Sequence, residues 1–298
     1  MICPIPEENP MHASDHRLYL KNKRRIVIKV GSSTITRAGT GAVNLGKIEK
    51  LVRKINDLKC EGREVVLVTS GAIAAGRETL RISKKAGNLA EKQAFAAVGQ
   101  AQLMMIYQKL FAEYHMHAAQ LLLTRYTMQE ETGRSNAKNT FSELLKLGVV
   151  PIVNENDTVS TLEIRFGDND RLSALVSSLI SADLLILLSD VDGLYSDDPN
   201  RNPEAKRISM VETVTPKLMM MAKESTGSDV GTGGMATKLK AAQIACSSGT
   251  DMIIASGEDL SVLDRIFSGE DVGTLFECGR IADFDFDSYM RQIKEGEA

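Results

Sequence analysis

Five short apolar runs in this chain each end in a small polar turn, usually with a glycine. That pairing restricts the fold more than any other feature. Arg25–Val30 leads into Gly31-Ser32-Ser33, Val65–Val68 into Thr69-Ser70-Gly71-Ala72, and Val149–Val153 into Asn154-Glu155-Asn156-Asp157. Leu184–Leu188 leads into Ser189-Asp190-Val191-Asp192-Gly193, and Met252–Ala255 into Ser256-Gly257. Four of the runs are nearly all apolar and have helical patterns between them, as parallel strands buried on both faces do. In an open α/β sheet the ligand sits outside the carboxyl ends of the strands. Here those ends hold Lys, Ser, Asn and Asp beside glycines, a lining suited to phosphate and polar substrates. The pattern is that of an α/β enzyme with its site along one edge of the sheet.

The 298 residues suffice for one large α/β domain or two lobes sharing a sheet. A net charge of -3 gives no general reason to expect nucleic acid as a partner. The basic run Lys21-Asn22-Lys23-Arg24-Arg25 reads as a solvated lead-in to the first strand. Cys3, Cys60, Cys246 and Cys278 are far apart and form no C-x-x-C, so neither a disulfide framework nor a zinc site is expected. His115 and His117 lack a third ligand nearby and read as surface or core histidines. No apolar stretch reaches membrane-spanning length, and Met1–Leu20 lacks the apolar core of a signal peptide. Together these point to the cytoplasm.

Residues 1–20 read as a tail, poorly ordered or in contact with another copy. Helical stripes are expected over Leu45–Cys60, Glu91–Tyr114, Asn136–Leu147, Asp170–Ser181 and Met235–Ser247. Small residues Ala94, Ala96, Ala97, Gly99 and Ala101 would let the second of these pack closely. Gly193–Lys206, rich in Asp, Asn, Pro and Arg, reads as a surface loop. Beyond Phe276 the chain reads as a tail packed on the surface.

Lys29, flanked by Ile28 and Val30, is either a snorkelling edge lysine or a phosphate ligand. The Gly31-Ser32-Ser33 turn that follows offers N–H groups and hydroxyls to an anion. Gly231-Thr232-Gly233-Gly234-Met235-Ala236-Thr237-Lys238 is either a hinge or a phosphate cradle at a helix start. It is not a Walker A loop, because Ala236 stands where that pattern needs glycine. Its match to the dinucleotide pattern fails on context, since polar Lys223–Val230 precedes it rather than a strand. Asn154-Glu155-Asn156-Asp157 and Asp168-Asn169-Asp170 either cap helices and turns or serve a substrate amine and the lysines. No Ser-His-Asp set is apparent, which disfavours nucleophilic hydrolysis. Phosphoryl transfer fits better, because it asks the protein chiefly for alignment and positive charge.

Read together, these segments resemble the glutamate 5-kinases, a branch of the amino acid kinase family. The resemblance rests on Ile28–Ser33, Val68–Gly76, Pro151–Asp157, Phe166–Asp170, Leu188–Tyr195 and Gly231–Lys238, over about residues 24–278. It implies an αβα three-layer sandwich around a mostly parallel central sheet. A kinase domain over 21–280 would comprise a glutamate lobe (about 21–183) and a nucleotide lobe (184–280), followed by a tail over 281–298. It implies transfer of phosphate from ATP, with Mg2+, to the side-chain carboxylate of L-glutamate, the first step of proline biosynthesis. By resemblance Lys29 and Lys238 hold the moving phosphoryl group and Asp170 organises them. Ser70, Asp157, Asn169 and nearby Asn154 would bind glutamate. Lys29, Gly31, Ser189, Asp190, Thr232, Gly233, Gly234, Met235, Ala236, Thr237 and Lys238 would bind the nucleotide, and no metal ligand is assigned to the chain. Proline is implied as a feedback inhibitor at a site overlapping that of glutamate, beside Thr158–Gly167. A separate glutamyl-phosphate reductase and a homo-oligomer, dimer or tetramer, are implied as well.

Two departures stand out: the chain ends too soon for the PUA domain many bacterial members carry, and about twenty residues precede the kinase part. The rival readings are a kinase of the same fold acting on N-acetylglutamate, UMP, carbamate or aspartate, and a catalytically silent sensor. Val68–Gly76 and Asn154–Asp157 favour free glutamate over the first, and the presence of both Lys29 and Lys238 speaks against the second.

Overall fold

The apolar runs become strands with two buried faces, as their composition requires. The computed structural model describes residues 15–84, 86–159, 169–199, 201–224, 234–278 and 285–296. Its strands are β1 (Arg25–Val30), β2 (Glu64–Val68), β3 (Ala118–Leu123), β4 (Val150–Glu155), β5 (Leu184–Ser189), β6 (Met210–Val211), β7 (Asp251–Ser256) and β8 (Thr274–Phe276). They form one sheet in the order β3-β4-β2-β1-β5-β7-β8-β6. From β3 to β7 all neighbours are parallel. β8 runs antiparallel to β7 and parallel to β6, so these two short strands oppose the rest.

The helices are α1 (Ser32–Ile35), α2 (Leu45–Cys60), α3 (Ala72–Thr79), α4 (Leu89–Ala112), α5 (Arg125–Gln129) and α6 (Glu131–Lys146). Then come α7 (Asn169–Leu179), α8 (Pro216–Glu224), α9 (Met235–Ser247), α10 (Val262–Phe267) and α11 (Phe286–Gly296). They cover both faces of the sheet. On one face Ile26, Ile28 and Val30 of β1 join Leu51 of α2, Tyr107 of α4 and Leu263 of α10 in a single core. On the other, Val27 joins Phe141 of α6, Val176 of α7 and Leu239 of α9. This alternation follows from the two-residue side-chain period of a strand. The expected three-layer αβα sandwich with a mostly parallel sheet is therefore present.

α3 and α4 touch backbone to backbone. A Cβ on Gly99 would land on the Ala72 carbonyl, and one on Gly76 on the Phe95 carbonyl. Gly71, which opens α3, has φ 97, a conformation that glycine adopts without strain. The turn after β2 is thus held against α4 by glycines at both levels.

Some expectations are sharpened by the structure and others change. The Asn136–Leu147 stripe belongs to the longer α6, and β4 extends through Asn154 and Glu155. His115 and His117 are exposed at the entry to β3. From Asp15 the expected N-terminal tail is a 3-10 helix (Asp15–Asn22) with Arg17 and Leu20 buried. The Arg17 guanidinium donates to the carbonyls of Val272 (2.5 Å), Ser209 (2.6 Å) and Gly273 (3.2 Å) and pairs with Asp271 at 3.1 Å. It ties this segment to the opposing β6–β8 edge, a long-range contact that no local pattern announces. The expected C-terminal tail forms α11, with Met290 buried and Asp287 paired to Arg134 at 2.7 Å. Cys246 and Cys278 form a disulfide, contrary to the sequence expectation. Spacing alone hid it, because the end of α9 and the chain leaving β8 are neighbours only once β8 pairs with β7.

Candidate active site

The order of strands reverses at β1: β2, β4 and β3 lie to one side, and β5 and β7 to the other. In such sheets the crevice at the reversal, outside the carboxyl ends, is the place for a ligand. Lys29 has the parity of Val27, so its side chain leaves on the face covered by α7 and α9. Its Nζ lies 2.5 Å from Asp170 Oδ1, at the start of α7. Lys238 Nζ, from the first turn of α9, lies 3.1 Å from Asp170 Oδ2. Thr237 Oγ1 reaches the same carboxylate oxygen at 3.3 Å. Lys29, Asp170 and Lys238 are 7%, 1% and 3% exposed, so this is a buried triad and the snorkelling reading of Lys29 falls away.

Burial pushes the Asp170 carboxyl up, but the two adjoining ammoniums outweigh it and hold the group below its ordinary value. Two buried lysine side chains thus face one carboxylate. Gly234 precedes α9 with no side-chain cap, and the N–H groups of that first turn belong to a helix N-terminus. A Cβ on Gly31 would sit 3.7 Å from Lys29 Nζ. Ser189 ends β5, the strand beside β1, and donates to Asp190 Oδ1 at 2.8 Å. Met235, Ala236, Thr237 and Lys238 form the opening turn of α9, whereas Thr232 and Gly233 lie outside the described residues.

A second, neutral network stands next to the triad. Asn169 Nδ2 donates to the Thr69 carbonyl (3.0 Å), Ser70 Oγ (2.8 Å) and Asn154 Oδ1 (3.0 Å). Asn154 Nδ2 donates to Gln100 Oε1 at 2.9 Å. Thr69 Oγ1 is bonded to the buried Tyr107 hydroxyl at 2.9 Å. Beside this network is a cavity of about 260 Å³ whose lining includes Ala72, Gln100, Gln120, Asn156 and Asp157. Burial raises the Asp157 carboxyl to about 6.

The structure thus joins Lys29, Asp170 and Lys238 in one cluster and Ser70, Asn154 and Asn169 in another, and places Asp157 on the adjoining cavity. Asp168 and residues 160–167 lie outside the described residues. Sequence reasoning missed Gln100. Its signal was a lone amide among the buried α4 positions Phe95, Ala96, Gly99 and Leu103.

The model of the amino acid kinase family matches residues 24–256. The chain belongs to the amino acid kinase family. Among the relatives of this amino acid kinase, the glutamate 5-kinase of Clostridium perfringens is 52% identical over 264 residues, which cover 87% of this chain and 97% of the relative. The glutamate 5-kinase of Carboxydothermus hydrogenoformans is 53% identical over 260 residues, covering 87% and 69%. Among solved structures, carbamate kinase from Giardia lamblia bound to AMP-PNP matches with a TM-score of 0.60 at 16% identity, over 86% of this chain and 99% of that one. UMP kinase from Bacillus anthracis matches with a TM-score of 0.56 at 16% identity, over 86% and 96%. These two show that the fold is that of amino acid kinases. No described helix of this amino acid kinase is long and apolar enough to cross a membrane.

Proposed function

We propose that the chain is a glutamate 5-kinase, transferring the γ-phosphoryl group of ATP to the side-chain carboxylate of L-glutamate. The observation that carries this reading is Asp170 holding Lys29 and Lys238 together at the strand ends, one residue from the amide network of Asn169. A carboxylate oxygen of glutamate forms the new P–O bond as the bond to the ADP oxygen breaks. The acceptor is already an anion, so no general base is needed. Lys29 and Lys238 offset the negative charge on the transferring group, which is where such a site gains most. Asp170 acts on the reaction by positioning them.

Ser70, Asn154, Asn169 and Asp157 hold the amino acid, with Asp157 facing its ammonium. Gly31, Ser189, Asp190 and the turn running from Gly234 to Lys238 hold the nucleotide, together with Thr232 and Gly233. This divides the kinase domain near residue 184 into a glutamate lobe and a nucleotide lobe. Mg2+ would arrive on the nucleotide phosphates and share their charge with the two lysines. Proline inhibition in competition with glutamate, a cytoplasmic location, a dimer or tetramer, and a separate reductase for the acyl phosphate belong to the same reading.

An ADP-release assay over glutamate, N-acetylglutamate, UMP, carbamate and aspartate tests it. Turnover of glutamate well above the others is expected. A clear preference for any other acceptor, or no ADP release with all five, overturns it.

A further inference from the structure

The amide network has a locked polarity. The Glu155 backbone N–H can only donate, and it donates to Asn154 Oδ1 at 2.9 Å. That turns Asn154 Nδ2 toward Gln100, so the Gln100 atom it meets is the oxygen. The Thr69 carbonyl can only accept, so Asn169 turns Nδ2 toward it. Two atoms are left over. Gln100 Nε2 and Asn169 Oδ1 are buried and have no hydrogen-bond partner among the described residues. Buried polar groups in native proteins are nearly always satisfied, and an exception at a cavity marks a place for a ligand atom.

Gln100 is 7% exposed and lines the cavity that Asp157 also lines. Its vacant group is a donor. An ammonium has only donors as well and cannot pair with it, whereas a carboxylate accepts. The chain of contacts from Asp170 and its neighbour Asn169 through Asn154 to Gln100 leads away from the two lysines. It also crosses the sheet, because Asn154 has the parity of Val150 and Ile152 and meets α4 on the face opposite α7. The carboxylate that receives phosphate must lie at the lysines. The other one lies toward Gln100.

Resting on the glutamate-kinase reading above, we infer that Gln100 is a specificity-determining residue, its Nε2 donating to the α-carboxylate of the acceptor amino acid. Asn154 positions Gln100 by holding its oxygen. Asn169 Oδ1 and Asp157 are left for the α-ammonium.

The test compares L-glutamate with its α-amide, isoglutamine, which keeps the ammonium and the side-chain carboxylate. Wild-type turnover of glutamate tests the functional reading by itself, without any variant. Calorimetric binding of the two compounds reads the preference independently of turnover. Gln100→Leu should raise glutamate KM about tenfold or more and lower the preference for glutamate over isoglutamine by about tenfold, leaving ATP KM unchanged. Gln100→Glu keeps an oxygen for Asn154 and nearly the same shape, so it carries the test even where the leucine variant does not fold. It places an acceptor where the donor stood, repels the α-carboxylate, and should turn the preference toward isoglutamine. A wild-type preference ratio in Gln100→Glu overturns the inference, as does an equal rise in glutamate and ATP KM.

Discussion

Replacing Asp170 with asparagine removes one charge and almost no volume from the centre of the triad. The asparagine oxygen can still take one lysine, but its amide then points donors at the other, where Asp170 Oδ2 now lies 3.1 Å from Lys238 Nζ. Both ammoniums stay buried, at 7% and 3% exposure, and lose the carboxylate that faces them. Removing one partner of a buried ion pair costs about 3–5 kcal/mol. For a chain of this length about 3 kcal/mol lowers Tm by roughly 5 °C. The lysines would also lose their alignment on the phosphoryl group, and a further ~3 kcal/mol of lost transition-state stabilisation is about a hundredfold in kcat. A bound triphosphate supplies the missing negative charge. Magnesium AMP-PNP should therefore raise the Tm of Asp170→Asn by several degrees more than it raises that of wild type. Thermal melts with and without AMP-PNP, together with an ADP-release assay, read all three effects. The Asp170 carboxyl is held below its ordinary value in the fold. Its stabilising contribution is thus present above about pH 4 and is lost as the pH falls through the lower folded-state value, a dependence the asparagine variant should lack. Wild-type kcat, or a lowered Tm to which AMP-PNP adds no more than in wild type, refutes the charge argument.

Lys29→Ala and Lys238→Ala should each lower kcat about a hundredfold with little change in glutamate KM; near-wild-type turnover in steady-state kinetics assigns the lysine to structure alone. Asp157, pushed up to about 6 by burial, must be ionised to pair with an ammonium. Glutamate KM should therefore rise as pH falls below about 6, and Asp157→Asn should give a high KM with that bend removed while ATP KM stays put; a KM profile that bends alike in both proteins counts against the pairing. Gly99→Ala drives a methyl group into the Ala72 carbonyl of α3. Separating two touching helices costs about 1–3 kcal/mol or more, so chemical denaturation should show a clear loss of stability, and an unchanged midpoint would mean the helices are not held in contact.

Much of this protein was legible locally. An apolar run is a doubly buried strand because the whole run, not alternate positions, is apolar, and that holds for β1 and β5 without knowing their neighbours. The end of such a strand is where polar side chains become accessible, so Lys29 and the Ser70, Asn154 and Ser189 turns could be assigned to one edge of the sheet. The family resemblance carried Asp170 and Lys238 to the same place. Other features depend on pairing between distant segments. Gln100 was one glutamine in a helix until the parity of β4 turned Asn154 toward α4. The N-terminal helix and α11 look like tails in the sequence because their anchors are distant: carbonyls at 209, 272 and 273 for Arg17 and a side chain at 134 for Asp287. The Cys246–Cys278 disulfide became possible only when β8 reversed direction beside β7. The sequence by itself determined which segments are buried and which ends are polar, since both follow from side-chain chemistry and local period. Only the tertiary structure decided which polar atoms of the amide network satisfy one another and left Gln100 Nε2 and Asn169 Oδ1 without a partner among the described residues, because a hydrogen bond between residues 54 positions apart has no local signature.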